Sequence, residues 1–121
     1  MGRTVEQLMT PDPETVALDA SLTEVAQVMR DGGTGMVPVT EGDLLQGVVT
    51  DRDIVTSAIA DGRSPDATRA SDVFTGGVAT LWPGDDVEDA ERLMRAVGVS
   101  RLPVVDGGRV VGVFSIASLV G

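Results

Sequence analysis

The sequence predicts a mixed α/β (α+β) protein of two tandem repeats, each a small sheet with flanking helices, packed with pseudo-two-fold symmetry. Three observations carry this expectation. Sliding the chain by 65 positions lays residues 5–56 on 70–121 without a gap. In both copies an apolar stripe at helical spacing precedes two short apolar runs joined by a Gly-containing turn. Apolar residues make up 42% of the chain, mostly aliphatic, so two small units have enough to bury if they pack on one another.

Coincidence of Pro, Gly and apolar positions makes the repeat convincing. MVPVTEGDLLQGVVT (36–50) falls on RLPVVDGGRVVGVFS (101–115), so that Pro38 meets Pro103, Gly42 meets Gly107 and Gly47 meets Gly112. The expected boundaries are a first repeat over 1–60, a polar, turn-rich linker over 61–69 and a second repeat over 70–121.

Each copy opens with a short leading segment, VEQLMT or ASDVFT, and a brief extended piece around Val16 or Leu81. A helix follows. In the first copy Ser21 is the expected N-cap with Glu24 at capping-box spacing, and Leu22, Val25 and Met29, with Ala26 at its margin, form the apolar stripe. In the second, Asp86 caps and Val87, Ala90, Met94 and Val97 repeat the stripe. Gly32-Gly33 and Gly98 are the expected C-caps. Strands are expected over 36–40 and 45–49, and again over 101–105 and 109–114, each pair joined as a hairpin. A closing helix runs from Asp51 to about Ala60, and a shorter one from Ile116 to Val120.

Composition removes several function classes. There is no Cys and no His, which excludes Cys nucleophiles, disulfides, zinc fingers and His-based acid–base catalysis. The formal charge is −10 and all nine basic residues are Arg, a field that repels nucleic acid. MGRTVEQLMT has no apolar signal core, and no run approaches the ~20 apolar residues of a membrane span. The expectation is a cytoplasmic protein with neither nucleic-acid nor membrane partners. No nucleophile–base pair can be assembled, so a non-enzyme is expected. Nor do Gly32-Gly33 and Gly107-Gly108 fit a P-loop, whose Lys this chain lacks.

The leading segment VEQLMTPDPETV, the VPV and LPVV strands, and GVVTDRDI at the close of the first copy together resemble the CBS domain. Two in tandem resemble a CBS pair, or Bateman module, over nearly the whole chain. No catalytic domain or channel accompanies them, so a stand-alone module is expected. The resemblance implies sensing rather than catalysis, through an adenosine-containing ligand such as AMP, ADP, ATP, S-adenosylmethionine or NAD bound in a cleft between the repeats. It assigns the ribose to Thr50 and Asp53, whose carboxylate offers two acceptor oxygens to a cis-diol. Ser100 and Arg101, just before the second strand's Pro, would take phosphate, where an Arg fork suits the oxygens. Backbone N–H groups at the start of the helix after Thr50 also favour phosphate. Adenine would lie against Val48 and Pro103 with its edge at the backbone of Val78 and Ala79, and Arg52 would sit beside ribose or phosphate. No further cofactor is required, and a homodimer is implied. In the mirror cleft Asp53 maps to Ser118, and Ser100-Arg101 map to Gly35-Met36, so that cleft is expected to be degenerate.

Each of these residues also has a plain structural use. Thr50-x-x-Asp53 has the spacing of a capping box, and Asp51 suits the first turn of a helix. Arg101 can snorkel over a sheet edge or pair with a carboxylate. Met29 and Met94 belong to the core stripes, and Trp82 is expected to cover the start of the second long helix. Two alternative functions stand beside nucleotide sensing. One is a ligand-free dimerisation or interaction module; the other is a divalent-cation sensor built from Asp85, Asp86 and Asp89.

Overall fold

The computed structural model describes residues 2–119. In chain order its elements are α1 (Val5–Leu8), β1 (Thr10–Pro11), β2 (Val16–Ala17), α2 (Leu22–Gly32), β3 (Met36–Glu41), β4 (Leu44–Thr50) and α3 (Asp51–Ile54). A π-helical segment over Val55–Ile59 continues α3, and α4 (Ala70–Val73), β5 (Thr75–Gly76), α5 (Val87–Val97), β6 (Arg101–Asp106) and β7 (Arg109–Ser115) follow, with a final 3-10 turn over Ile116–Leu119. The fold is mixed α/β, as the sequence predicts. Val120, the expected end of the last helix, lies outside the described residues.

The chain forms two compact units, Glu14–Val78 on one hand and Met1–Pro13 with Ala79–Gly121 on the other. The units therefore do not follow the sequence repeats. The leading segment of each repeat packs into the unit built by the other.

In the Glu14–Val78 unit, β2 runs parallel to β3, β3 pairs antiparallel with β4, and β5 adds to the far side of β4. Residues 36–40 of β3 are all buried, which is why this strand reads as an unbroken apolar run rather than an alternating one. Leu22, Val25 and Met29 of α2 pack on Val37, Val39 and Val49, with Ala58 and Ala70 completing the core. Ser21 caps α2 by accepting the Glu24 N–H at 3.1 Å. The segment expected as a linker is bound into this unit. The Leu22 N–H reaches the carbonyls of Pro65 (3.1 Å) and Thr68 (2.9 Å), and the Ala70 N–H that of Ala20 (2.8 Å). Buried Thr68 donates its hydroxyl to the Ser64 carbonyl at 2.6 Å.

The other unit repeats the plan. β1 pairs with β7, β7 with β6, and Leu81 bridges Val104 in parallel, standing where β2 stands in the first unit. Val87, Ala90 and Met94 of α5 meet Val5, Leu102, Val104 and Phe114. Val97, expected in the stripe, is 48% exposed, because the helix ends there and Gly98 turns the chain in a left-handed conformation (φ 76°). Gly107 and Gly108 both hold positive φ, 60° and 84°, the backbone that a tight two-residue hairpin asks for. Both hairpins carry a bulge at the same repeat position, between Val39 and Thr40 and between Val104 and Val105.

Two glycines explain how the leading segments dock. A Cβ on Gly47 would overlap the Thr75 carbonyl oxygen and come within 2.6 Å of the Phe74 ring. A Cβ on Gly112 would overlap the Met9 sulfur and lie 3.0 Å from the Thr10 carbonyl oxygen. In each unit the incoming strand lies directly over a residue without a side chain.

The expected closing helix differs in form. After Ile54 the helix widens, and the Ala60 N–H reaches the Val55 carbonyl, five residues back, at 2.9 Å. The Thr56 hydroxyl donates to the Arg52 carbonyl at 2.7 Å, taking the acceptor an α-helical Thr56 N–H would use.

Candidate ligand-binding site

β4 ends at Thr50 because the chain turns there into α3, and that turn is locked in both directions. The Thr50 N–H donates to Asp53 Oδ2 at 2.9 Å, and the Asp53 N–H donates to Thr50 Oγ1 at 3.1 Å. The capping box is therefore real. It consumes one carboxylate oxygen and one hydroxyl lone pair. Among the described residues, Asp53 Oδ1 and the Thr50 hydroxyl proton remain uncommitted. One acceptor and one donor, held rigidly side by side on half-buried residues, suit a polar group that both accepts and donates.

The rest of the sequence-named set divides between the units. Val48, Thr50, Arg52, Asp53 and Val78 belong to the Glu14–Val78 unit; Ala79, Ser100, Arg101 and Pro103 belong to the other. In the first unit, buried Val48 shares a strand face with Thr50 and pairs with Thr75 of β5, three residues before Val78. Arg52 is exposed, and among the described residues its guanidinium has no carboxylate partner although Asp51 and Asp53 flank it. Asp51 instead accepts the Arg52 N–H at 2.8 Å.

In the second unit, Ser100 is exposed just before β6, half-buried Arg101 opens the strand, and fully buried Pro103 lies on the same face. Arg101 stands opposite Ser115, the repeat counterpart of Thr50, and its guanidinium too has no ion-pair partner among the described residues. The chain carries 19 carboxylates, and Arg30, Arg92 and Arg95 each pair with one. Among the described residues Arg52 and Arg101, like Arg3 and Arg63, make no ion pair.

Sequence reasoning did not find the role of Asp51. Its N–H donates to the Gly35 carbonyl at 2.9 Å, and its Oδ2 lies only 2.7 Å from where a Gly35 Cβ would stand. In the other repeat Ile116 makes the same backbone bond to Ser100 at 2.9 Å. A side chain at position 35 would therefore require the Asp51 carboxylate to move aside. The pairing of Gly35 with Asp51 in one copy, and Ser100 with Ile116 in the other, was the available signal. The Ser118 side chain, the mirror of Asp53, lies outside what is described.

One expectation is corrected. Asp85, Asp86 and Asp89 do not form a cation cluster: Asp85 accepts the Trp82 N–H at 2.8 Å, Asp86 the Glu88 N–H at 2.8 Å, and Asp89 pairs with Arg92. Among the described residues no group of three metal-ligating side chains converges. Each carboxylate has one oxygen in a turn, a cap or a helix-surface pair. Trp82, expected at the start of α5, is 58% exposed, with its ring lying over Gly84, two residues before the Asp86 N-cap.

The family model described as the CBS domain matches twice, over residues 5–59 and 70–121. The chain belongs to the CBS-domain family. It is a CBS pair, a regulatory type of module. It is 34% identical over 115 residues to the CBS domain-containing protein YhcV of Bacillus subtilis, covering 95% of this chain and 81% of that protein. Its fold superposes with a TM-score of 0.90 on a crystal structure of Hypoxic Response Protein I with two coordinated zinc ions, at 28% identity over 98% of this chain and 97% of that one. It also superposes on CBSX2 in complex with AMP, with a TM-score of 0.83 at 26% identity over 98% and 94% of the two chains. Among the described residues of this CBS pair, no helix is long and apolar enough to cross a membrane.

Proposed function

We propose that this CBS pair is a non-catalytic sensor of an adenine nucleotide, AMP, ADP or ATP, bound at one site per chain. Thr50 and Asp53 hold the ribose through the hydroxyl proton and the Oδ1 lone pairs that their mutual cap leaves open. Arg101 and Ser100 take the phosphates, Arg52 stands beside them, and Val48 and Pro103 flank the adenine, with its edge at the backbone of Val78 and Ala79. The observation that carries this reading is that, among the described residues, Asp53 Oδ1 is open and half-buried Arg101 has no ion pair in a chain of formal charge −10. An unpaired cation amid so many carboxylates matches a site kept for an anionic ligand. The likeness to a CBS protein solved with AMP supports the same ligand class.

The mirror positions carry Gly35 and Met36 in place of Ser100 and Arg101, so the reading allows one nucleotide per chain, with no metal or further cofactor. The same acidity argues against nucleic-acid and membrane partners, and the protein is read as cytoplasmic. Val55 and Ile59, 58% and 55% exposed one helical turn apart, favour a homodimer as the signalling form.

A thermal-shift panel of AMP, ADP, ATP, S-adenosylmethionine and NAD on the wild type and Asp53→Ala tests the reading. A nucleotide at 100 times its Kd adds about 2.7 kcal/mol, a rise of roughly 10 °C for a chain of this length. A flat panel on the wild type refutes nucleotide sensing. Light scattering of the ligand-free chain as a monomer refutes the dimer.

A further inference from the structure

Three Asp-Gly steps occur in the chain, Asp31-Gly32, Asp61-Gly62 and Asp106-Gly107, and there is no Asn. A glycine after aspartate has no Cβ to shield its peptide nitrogen, so that nitrogen can attack the side-chain carboxyl of the residue before it. The new N–Cγ bond closes a five-membered succinimide, and the carboxyl hydroxyl leaves with the N–H proton as water. Water then reopens the ring. Attack at Cγ restores aspartate, whereas attack at the main-chain carbonyl carbon gives isoaspartate, whose chain runs on through Cβ and Cγ. Composition and net charge do not change, but the backbone gains one atom. Asp12-Pro13 is closed to this route, because proline has no N–H to lose.

The reaction needs a peptide N–H that is not already donating and a carboxyl free to turn onto it. The three steps differ on both counts. Gly32 is the last residue of α2, so its N–H falls within the helix, and the Asp31 carboxylate pairs with Arg30 Nε at 2.9 Å. The Gly62 N–H donates to the Ile59 carbonyl at 3.0 Å, and the Arg63 N–H just beyond it to the Ala58 carbonyl at 2.9 Å, which holds the Asp61-Gly62 peptide in place. Asp106 ends β6 at an exposed position. Among the described residues its carboxylate makes no hydrogen bond or ion pair, and the Gly107 N–H donates to no carbonyl. Gly107 and Gly108, at φ 60° and 84°, form the hairpin tip, where a Cβ on Gly107 would meet no atom within 4 Å. Asp31 and Asp106 both stand in the run Asp-Gly-Gly, so a contrast between those two belongs to the fold and not to the local sequence.

We propose that Asp106-Gly107, at the tip of the β6–β7 hairpin, is a site of spontaneous backbone isomerisation to isoaspartate, while the folded chain protects Asp31 and Asp61. The added backbone atom falls at the Asp106–Arg109 pair that closes the hairpin.

The full, ligand-free chain is held for several weeks at neutral pH and physiological temperature, either folded or in concentrated guanidinium chloride. Isoaspartate is counted by methyl transfer from S-adenosylmethionine with an isoaspartate-specific methyltransferase, and located by electron-transfer fragmentation of peptides. In the folded chain it is expected to accumulate at Asp106 ahead of Asp31 and Asp61. In denaturant, where the hydrogen bonds are gone, all three are expected to gain it at similar rates. Asp106→Glu keeps the charge at this exposed position but would have to close a six-membered ring, and is expected to remove most of the folded-chain signal. Isoaspartate at Asp31 or Asp61 equal to or above that at Asp106 in the folded chain overturns the proposal, as does its appearance at Asp106 only in denaturant. An undiminished preference for Asp106 over Asp31 in denaturant also overturns it, because selection would then owe nothing to the hairpin.

Discussion

Asp53 serves two purposes, and two substitutions separate them. Asp53→Ala removes the acceptor of the Thr50 N–H (2.9 Å) and leaves a half-buried donor without its partner. Loss of such a cap bond costs about 1 kcal/mol, which is a fall of roughly 4 °C for a chain of this length. Asp53→Asn keeps a carbonyl oxygen in the same place and preserves the cap. It loses only the charge near the start of α3, a cost of about 0.5 kcal/mol. Ligand binding orders the variants differently. The Asn oxygen is occupied by the Thr50 N–H, and its second terminal atom is an NH2 donor where the ribose needs an acceptor. Each charged hydrogen bond lost is worth about 1.5–3 kcal/mol, so both variants are expected to bind nucleotide roughly 10- to 150-fold more weakly. Scanning fluorimetry without ligand and titration calorimetry with ATP or AMP measure the two effects independently. An Asn variant that binds as tightly as wild type refutes the ribose role. Equal destabilisation by Ala and Asn refutes the assignment of the cap to the carboxylate oxygen.

Three further predictions follow from particular contacts. Arg101→Ala removes a side chain that has no ion-pair partner among the described residues, so the unliganded melting temperature is expected to change by less than about 2 °C while nucleotide affinity falls at least 10-fold in calorimetry. Asp12→Gly relieves left-handed backbone before a proline at a position where the other repeat already carries Gly77, and a gain of about 1 kcal/mol is expected in urea unfolding. A loss of stability refutes the strain reading. Gly47→Ala forces a methyl onto the Thr75 carbonyl and the Phe74 ring, and should cost about 1–3 kcal/mol and raise hydrogen exchange in β5. Exchange and stability equal to wild type show that the docking is not as tight as described.

The sequence by itself determined the doubling, the order of elements and most of the core. An apolar stripe at helical spacing in front of paired apolar runs has few solutions, and Leu22, Val25, Met29, Val87, Ala90 and Met94 are buried where their spacing places them. The capping box at Thr50 and Asp53 was legible for the same reason, because it is a contact between residues three apart. Val97 was misplaced because spacing carries a stripe to the last helical residue, whereas burial depends on what lies opposite that residue. Only the tertiary structure decided that the leading segments exchange between units, since that depends on Gly47 and Gly112 admitting strands distant in sequence. It alone showed, among the described residues, the cap leaving Asp53 Oδ1 open, Arg52 and Arg101 without an ion pair, and Asp85, Asp86 and Asp89 each with a carboxylate oxygen engaged. Periodicity records which way a side chain faces. Which atoms of that side chain remain unspent is decided by neighbours that the chain brings in from elsewhere.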